Sequence, residues 1–357
     1  MNSEDLATTL PILLDAGSSV EIKGPPGVGK STIIEDLITK LSARDGEQWG
    51  FSTLFLATQT PSDLLGYLMP ETKTFNGKET RVSTFTMPLW MLTSDGTPVH
   101  NYRRGILFLD EYGQGEADVK RASAELLLNK RLGPWSLPLG WCVVAASNRN
   151  SDRSGVTKSF DFVINRRVEI ELQPDVGSWT NWASANNISP LAIAFANHHP
   201  HIVFSDTVPD KQGPWCTPRS LVMADKILQA MGSDGEIPDG SLANEVVSGM
   251  IGSAAAAQLF AFVRLEREMP KFEEIIASPD KCHVPDRPDG KMLVCYNLAA
   301  RATNETIAPC IEYIERFGQE FAATFIKSAS KRNFKFALNP AFKKWCSNNN
   351  SLMSALA

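Results

Sequence analysis

The stretch GPPGVGKS, Gly24 to Ser31, constrains this chain more than any other. It follows SVEIK, Ser19 to Lys23, which reads as a short strand. It precedes Ile33, Ile34, Leu37 and Leu41, an apolar series at helical spacing. Strand, glycine loop and helix is the context that the phosphate-binding pattern GxxxxGK followed by Ser or Thr requires. Gly24, Gly27 and Gly29 let the backbone turn tightly and aim its N–H groups inward. The helix that follows points its positive end at the phosphates. Lys30 supplies a point charge to the outer phosphates, and the Ser31 hydroxyl is placed to bind Mg²⁺. The candidate nucleotide-binding residues here are therefore Gly24, Pro25, Pro26, Gly27, Val28, Gly29, Lys30, Ser31 and Thr32.

Two later strands end in chemistry. GILFLDEY, Gly105 to Tyr112, is continuously apolar from Ile106 to Leu109, as for a strand buried on both faces of a parallel sheet. It ends in Asp110 and Glu111, at the edge where open α/β sheets bind ligands. Asp110 fits the Walker-B role of holding Mg²⁺, directly or through water, and Glu111 fits a base that orients or activates water. WCVVAASNRN, Trp141 to Asn150, repeats the buried strand pattern and ends at Ser147 and Asn148. An amide there can hold the attacking water or touch the γ-phosphate. Taken alone, an asparagine after a strand is a turn former; its order after the other two motifs favours chemistry.

Composition narrows the class. A 43% hydrophobic and 21% charged chain of 357 residues is globular, long enough for two domains or one large one. A net charge of -5 argues against a basic nucleic-acid footprint over the whole surface. No apolar run reaches the roughly 18 to 20 residues a membrane span needs. The N-terminus MNSEDLATTLPILLDAG lacks the basic start of a signal peptide and carries Leu6, Leu10, Leu13 and Leu14 at helical spacing. The six cysteines form no CxxC pair, and the adjacent Cys282 and His283 have no partner pair at metal-site spacing. Reduced cysteines in a cytoplasmic protein are the expectation.

The motif order resembles an AAA+ ATPase, and within that class the MoxR-like branch. TQTPSDLLGY, Thr58 to Tyr67, is similar to the family's PSDLxG element. The helix VKRASAELLLNKRL, Val119 to Leu132, leads into GPWSLPLGWCVVAASN, similar to the family's hairpin before its sensor-1 strand. Asn148 matches the sensor-1 asparagine, followed here by Arg149 rather than proline, and SGVTKSFDFVINRR replaces the family's LPEAxxDRF segment. The resemblance spans residues 3 to 232. It implies ATP and Mg²⁺ dependence, a homo-oligomeric hexameric ring, and remodelling of a client protein, often one with a von Willebrand A domain. Arg166 then takes the arginine-finger position, with Arg167 as the alternative that either pairs with a carboxylate or serves as the finger itself.

The fold expected is an α/β P-loop NTPase core over residues 1–172, a parallel sheet flanked by helices. Its strands are placed at Ser19 to Lys23, Ser52 to Thr58, Gly105 to Leu109, Cys142 to Ala146 and Val168 to Leu172. A mainly helical lid and C-terminal region follow over 173–357. In that region Thr217 suits the N-cap and Pro218 the first position of a helix, which puts Arg219 in its first turn. Arg219 resembles the sensor-2 arginine. An arginine there opposes the helix dipole, which an anionic ligand would offset. Further helices are expected at Leu242 to Glu266 and Asn304 to Ser328, with a surface loop from Ser278 to Gly290. The tail Lys327 to Trp345 interleaves basic and aromatic residues, a pattern met on nucleic-acid surfaces and more often in a closing helix and solvated loop. A nucleic-acid motor is the second functional expectation, with Lys130 and Arg131 on its hairpin. A scaffold that hydrolyses little is the third, and a small-molecule kinase fits the ordered Asn148, Arg166 and Arg219 set poorly.

Overall fold

The computed structural model describes residues 1–152, 155–156, 161–232 and 237–349. The chain divides into two compact units, Met1–Pro174 with Asp206–Val208, and Asp175–Ser205 with Pro209–Ala357. In the first unit α1 is Ser3–Asp15, β1 Val20–Lys23, α2 Lys30–Asp45, β2 Gly50–Phe55 and α3 Pro61–Leu65. There follow β3 Leu68–Phe75, β4 Lys78–Phe85, β5 Gly105–Asp110, α4 Ala117–Asn129, β6 Arg131–Leu132 and β7 Trp135–Ser136. The unit closes with β8 Trp141–Ser147, α5 Asp161–Ile164 and β9 Val168–Glu171.

Five strands form one parallel sheet in the order β2-β5-β8-β1-β9. Its central strands β5 and β8 are apolar because both faces are covered. Ile106, Phe108, Val144 and Ala146 pack with Leu6, Leu10 and Leu14 of α1 and Ile34, Leu37 and Leu41 of α2. Leu107, Leu109, Val143 and Ala145 point the other way, onto Val119, Leu126 and Leu127 of α4. This is period-two alternation with an apolar partner on each side. Each such fully buried side chain contributes about 1.5–3 kcal/mol. The α/β core with a parallel sheet flanked by helices is the fold expected from the sequence.

The strands differ in detail from expectation. β2 stops at Phe55, the last residue paired to β5, opposite Asp110. Leu56–Thr58 coils into a 3-10 turn instead of extending. The helix expected to reach Leu132 ends at Asn129, because Lys130 takes a left-handed conformation (φ 57°) and turns the chain into the β6–β7 ribbon. The β3–β4 hairpin was not anticipated. It pairs Leu68 with Phe85 through to Phe75 with Lys78 and turns at Asn76 and Gly77, both with positive φ.

The second unit is helical: α6 Val176–Ala185, α7 Pro190–His198, α8 Pro200–Val203, α9 Pro218–Met231, α10 Ser241–Ile251, α11 Ser253–Glu268, α12 Phe272–Ala277, α13 Pro288–Arg301, α14 Ile307–Glu315, α15 Gln319–Arg332 and α16 Pro340–Asn348. The helix expected over Leu242 to Glu266 is broken at Gly252 (φ 83°), where a Cβ would stand 2.7 Å from the Pro214 carbonyl oxygen. That over Asn304 to Ser328 begins later, at Ile307, ends at Glu315 and restarts after Gly318 (φ 106°). The loop expected to reach Gly290 gives way to α13 at Pro288, whose fixed φ suits a first helical position. In the tail, Phe336, Phe342 and Trp345 are core residues, while Phe334 and Leu338 are exposed. No helix among the described residues is long and apolar enough to cross a membrane.

Candidate functional site

Sheet register builds the site. β1 pairs with β8 so that Lys23 stands opposite Ser147, which brings Gly24 beside Asn148. The Gly24 N–H donates to the Ser147 carbonyl at 3.2 Å. β8 lies between β1 and β5, so the chain leaves the same sheet edge at Gly24, Asn148 and Glu111. Gly24 is glycine for space: a Cβ there would stand 2.7 Å from the Leu172 carbonyl oxygen. Gly29 is glycine for conformation, with φ 99° at the N-cap of α2. It offers no side-chain cap, and the first turn of α2 carries no acid. The N–H groups of Lys30, Ser31 and Thr32 therefore open a 16-residue helix toward the loop with the polarity that suits an anion. Pro25 is buried and Val28 packs on the core around α2, which anchors the loop's variable positions.

Lys30 is buried and donates to the Gly24 carbonyl at 2.8 Å, the Pro25 carbonyl at 3.1 Å and Asn148 Oδ1 at 2.8 Å. Asn148, itself buried, turns its amide nitrogen to Glu111 Oε2 at 3.4 Å, a long contact. The donors fit one orientation of this amide, because an ammonium can only donate and a carboxylate can only accept. Lys30, Asn148 and Glu111 thus form one polar chain. Ser31 Oγ donates to Asp110 Oδ2 at 3.0 Å, and Asp110 Oδ1 accepts from the Glu111 N–H at 3.0 Å. Glu111 is held at φ 51°, ψ 36°, a left-handed conformation unusual for a side chain of this size. Strain of this kind persists where the surroundings enforce it, and it concentrates at functional sites.

The residues suit Mg²⁺. Octahedral Mg²⁺ takes oxygens at about 2.0–2.1 Å, so neighbouring ligands lie about 3 Å apart. The Ser31 and Asp110 oxygens have that separation. Among the described residues no cluster of three or more His, Cys, Asp or Glu side chains is placed to hold a metal. A two-oxygen protein site completed by water and phosphate is the usual Mg²⁺ arrangement in phosphate-handling proteins.

Arg166 follows α5 and is exposed. Arg167, one residue on, has a fully buried side chain that ion-pairs with Glu21 and lies 3.4 Å from Glu169. Of its two alternatives, Arg167 takes carboxylate pairing. Phe160 and residues 153–154 and 157–159, which precede α5 in the segment replacing LPEAxxDRF, lie outside the described residues. Arg219 is exposed in the first turn of α9, after Thr217 and Pro218; the Thr217 hydroxyl accepts from the Ser220 N–H at 3.1 Å. It belongs to the second unit.

Sequence reading missed a set of charged groups behind the site, some of them buried. Arg149 is bound by Asp152 at 2.9 Å and Asp206 at 2.6 Å, which fixes the turn after Asn148. Lys120 is fully buried on α4, donates to the Gly113 carbonyl at 2.7 Å, and is lowered by burial to about 8. Glu21 sits at the middle of β1 and accepts from Ser147 Oγ at 2.5 Å. One signal was available: a carboxylate inside a strand otherwise buried on both faces demands a partner.

No family model matches the chain, and no curated protein matches it. Among solved structures it is similar to RuvB of Thermotoga maritima, at 13% identity over 79% of this chain and 77% of that one, with a TM-score of 0.40. It is similar to NtrX of Brucella abortus in complex with ATP, at 14% identity over 93% and 67%, with a TM-score of 0.41. A Cytophaga hutchinsonii protein with a provisional ATPase assignment is 14% identical over 74% and 89%, with a TM-score of 0.36. At these levels of likeness the weight of a functional reading rests on the chain's own site.

Proposed function

We propose that this chain is a Mg²⁺-dependent ATPase of the AAA+ class, of the MoxR-like branch, working as a hexameric ring on a client protein. The observation that carries the ATPase reading is the convergence at one sheet edge of Lys30, Asn148 and Glu111 with the Ser31–Asp110 pair at 3.0 Å. Lys30 and the N–H groups that open α2 bind the outer phosphates. Ser31 and Asp110 would hold Mg²⁺, which supplies charge neutralisation on the phosphate oxygens. Glu111 accepts a proton from, or orients, the attacking water, and Asn148 holds that water against the γ-phosphate. The arrangement fits a resting state in which Lys30 is satisfied by loop carbonyls and Asn148 until phosphate replaces them.

Arg166 serves as the finger on the neighbouring subunit's nucleotide. Its exposure supports this role, because a group that acts in trans has to face outward. Arg219 serves as the sensor-2 arginine. Remodelling of a client, with a von Willebrand A domain protein as the first candidate, rests on the PSDLLG element and the ribbon before Asn148. A nucleic-acid motor is less well supported: Arg131, one of the two basic residues at that ribbon, is already paired with Glu125 at 2.9 Å, and the chain is net acidic.

A Glu111→Gln variant loaded with ATP tests the ring and client reading, with assembly mass measured alongside capture of a purified von Willebrand A domain protein. A closed-ring mass with ATP-dependent capture is expected. A monomeric mass with ATP and no capture overturns it. ATPase stimulation by DNA or RNA that disappears in Lys130→Ala/Arg131→Ala would establish the motor instead.

A further inference from the structure

The groups behind the site form one string. Lys23 pairs with Glu169 at 2.8 Å, Glu169 approaches Arg167 at 3.4 Å, Arg167 ion-pairs with Glu21, and Glu21 accepts from Ser147 Oγ at 2.5 Å. The Arg167 guanidinium also lies 5.6 Å from the centre of the Tyr112 ring. Four of these residues are chain neighbours of site residues: Lys23 precedes Gly24, Ser147 precedes Asn148, Tyr112 follows Glu111, and Arg167 follows Arg166. Arg167, Glu21 and Ser147 are all buried.

From this juxtaposition we propose that the Glu21–Arg167 pair is a positioning device that aims Arg166 outward and fixes it relative to the strand ends carrying Asn148 and Glu111. The inference rests on the finger reading of Arg166. Arg166 lies in the turn after α5, its N–H bonded to the Val163 carbonyl at 3.2 Å, and Arg167 follows at the entry to β9; holding Arg167 inward anchors the corner from which the exposed Arg166 projects. α5 is only four residues long and cannot fix that corner by itself. Burying a charge pair is a poor way to gain stability, since apolar replacements of similar volume are often neutral or stabilising. A corner with only a packing task would be filled as well by apolar side chains. A pair that fixes direction has another use: a displacement of about 1 Å in a catalytic group costs about 10²-fold in rate. Glu21 and Arg167 are positioning residues; neither reaches phosphate.

The test replaces both charges together, so that neither is stranded. Glu21→Gln/Arg167→Met keeps an acceptor for Ser147 and most of the arginine stem. The expected result is a Tm close to wild type, an unchanged Kd for a fluorescent ATP analogue, an unchanged KM, and kcat lower by at least about tenfold. Mixing with Glu111→Gln subunits should restore turnover, because those subunits bring a correctly aimed Arg166 to intact nucleotide sites. Wild-type kcat in the double variant, in a background where Arg166→Ala abolishes turnover, overturns the proposal. A loss that mixing does not restore also overturns it, since the damage then lies in the variant's own site. Should the double variant fail to fold, Arg167→Lys, which keeps the charge and loses the fork, carries the same readouts. Arg166→Ala hydrolysing at the wild-type rate is a separate failure, that of the finger reading itself.

Discussion

Glu111 carries backbone strain at the proposed site. Its left-handed backbone costs about 1–2 kcal/mol relative to glycine at the same φ and ψ. Glu111→Gly is therefore expected to abolish turnover while Tm stays level or rises, as thermal unfolding would show. Loss of both would mean that the carboxylate contributes to folding. Lys120 is a second case. Burial lowers it from 10.5 to about 8. Below about pH 8 the folded protein carries a buried charge that the unfolded chain carries freely, so the lysine costs stability there. The cost fades as pH rises toward 10.5, where the folded state has already released its proton. Lys120→Met loses the bond to the Gly113 carbonyl at every pH, so the pH dependence is the readout: relative to wild type, the variant should be more favoured near pH 7 than near pH 10, by on the order of 1–2 kcal/mol in urea titrations. A difference independent of pH would contradict the burial cause. Asp110 and Asn148 were legible because each stands at or next to the end of an apolar strand, and Lys30 and Ser31 because the glycine loop after β1 carries the phosphate-binding pattern. Carboxylate pairing was one of the two alternatives for Arg167, but its partner Glu21 was not identified, because their pairing spans 146 positions of sequence and depends on β9 docking beside β1.

At the scale of elements, burial on both faces made β1, β5 and β8 readable, while β9 shows itself by alternating buried and exposed positions. β2 alternates too and was less readable, since its end is set by where β5 stops pairing rather than by its own composition. The β3–β4 hairpin is exposed along its length, so no apolar stripe marks it. Its Asn76-Gly77 turn was a usable signal, because that dipeptide favours the tight turn that joins two strands. In the second unit, helical composition was clear but the breaks were not: Gly252 ends α10 and Gly318 precedes α15, both with positive φ, inside sequences that otherwise favour helix. Gly252→Ala forces both a left-handed alanine and a clash with the Pro214 carbonyl, and should cost about 2–4 kcal/mol in denaturant midpoint experiments. A cost under about 0.5 kcal/mol would mean the α10–α11 corner relaxes freely.

At the scale of the molecule, a parallel sheet gathers Lys30, Asn148, Glu111 and the Ser31–Asp110 pair at one edge, and Arg166 is exposed in the same unit. On the proposed reading these groups bind phosphate, hold Mg²⁺ and orient water, and a neighbour's Arg166 completes hydrolysis. The direct measurement of this central claim is Mg²⁺-dependent phosphate release, with nucleotide binding followed in parallel, for wild type, Glu111→Gln and Lys30→Ala. Wild type is expected to hydrolyse ATP. Glu111→Gln should bind it with a Kd within a few-fold of wild type and lose at least about 100-fold in turnover, and Lys30→Ala should lose binding. No hydrolysis by wild type, or wild-type turnover in Glu111→Gln, would contradict the assignment.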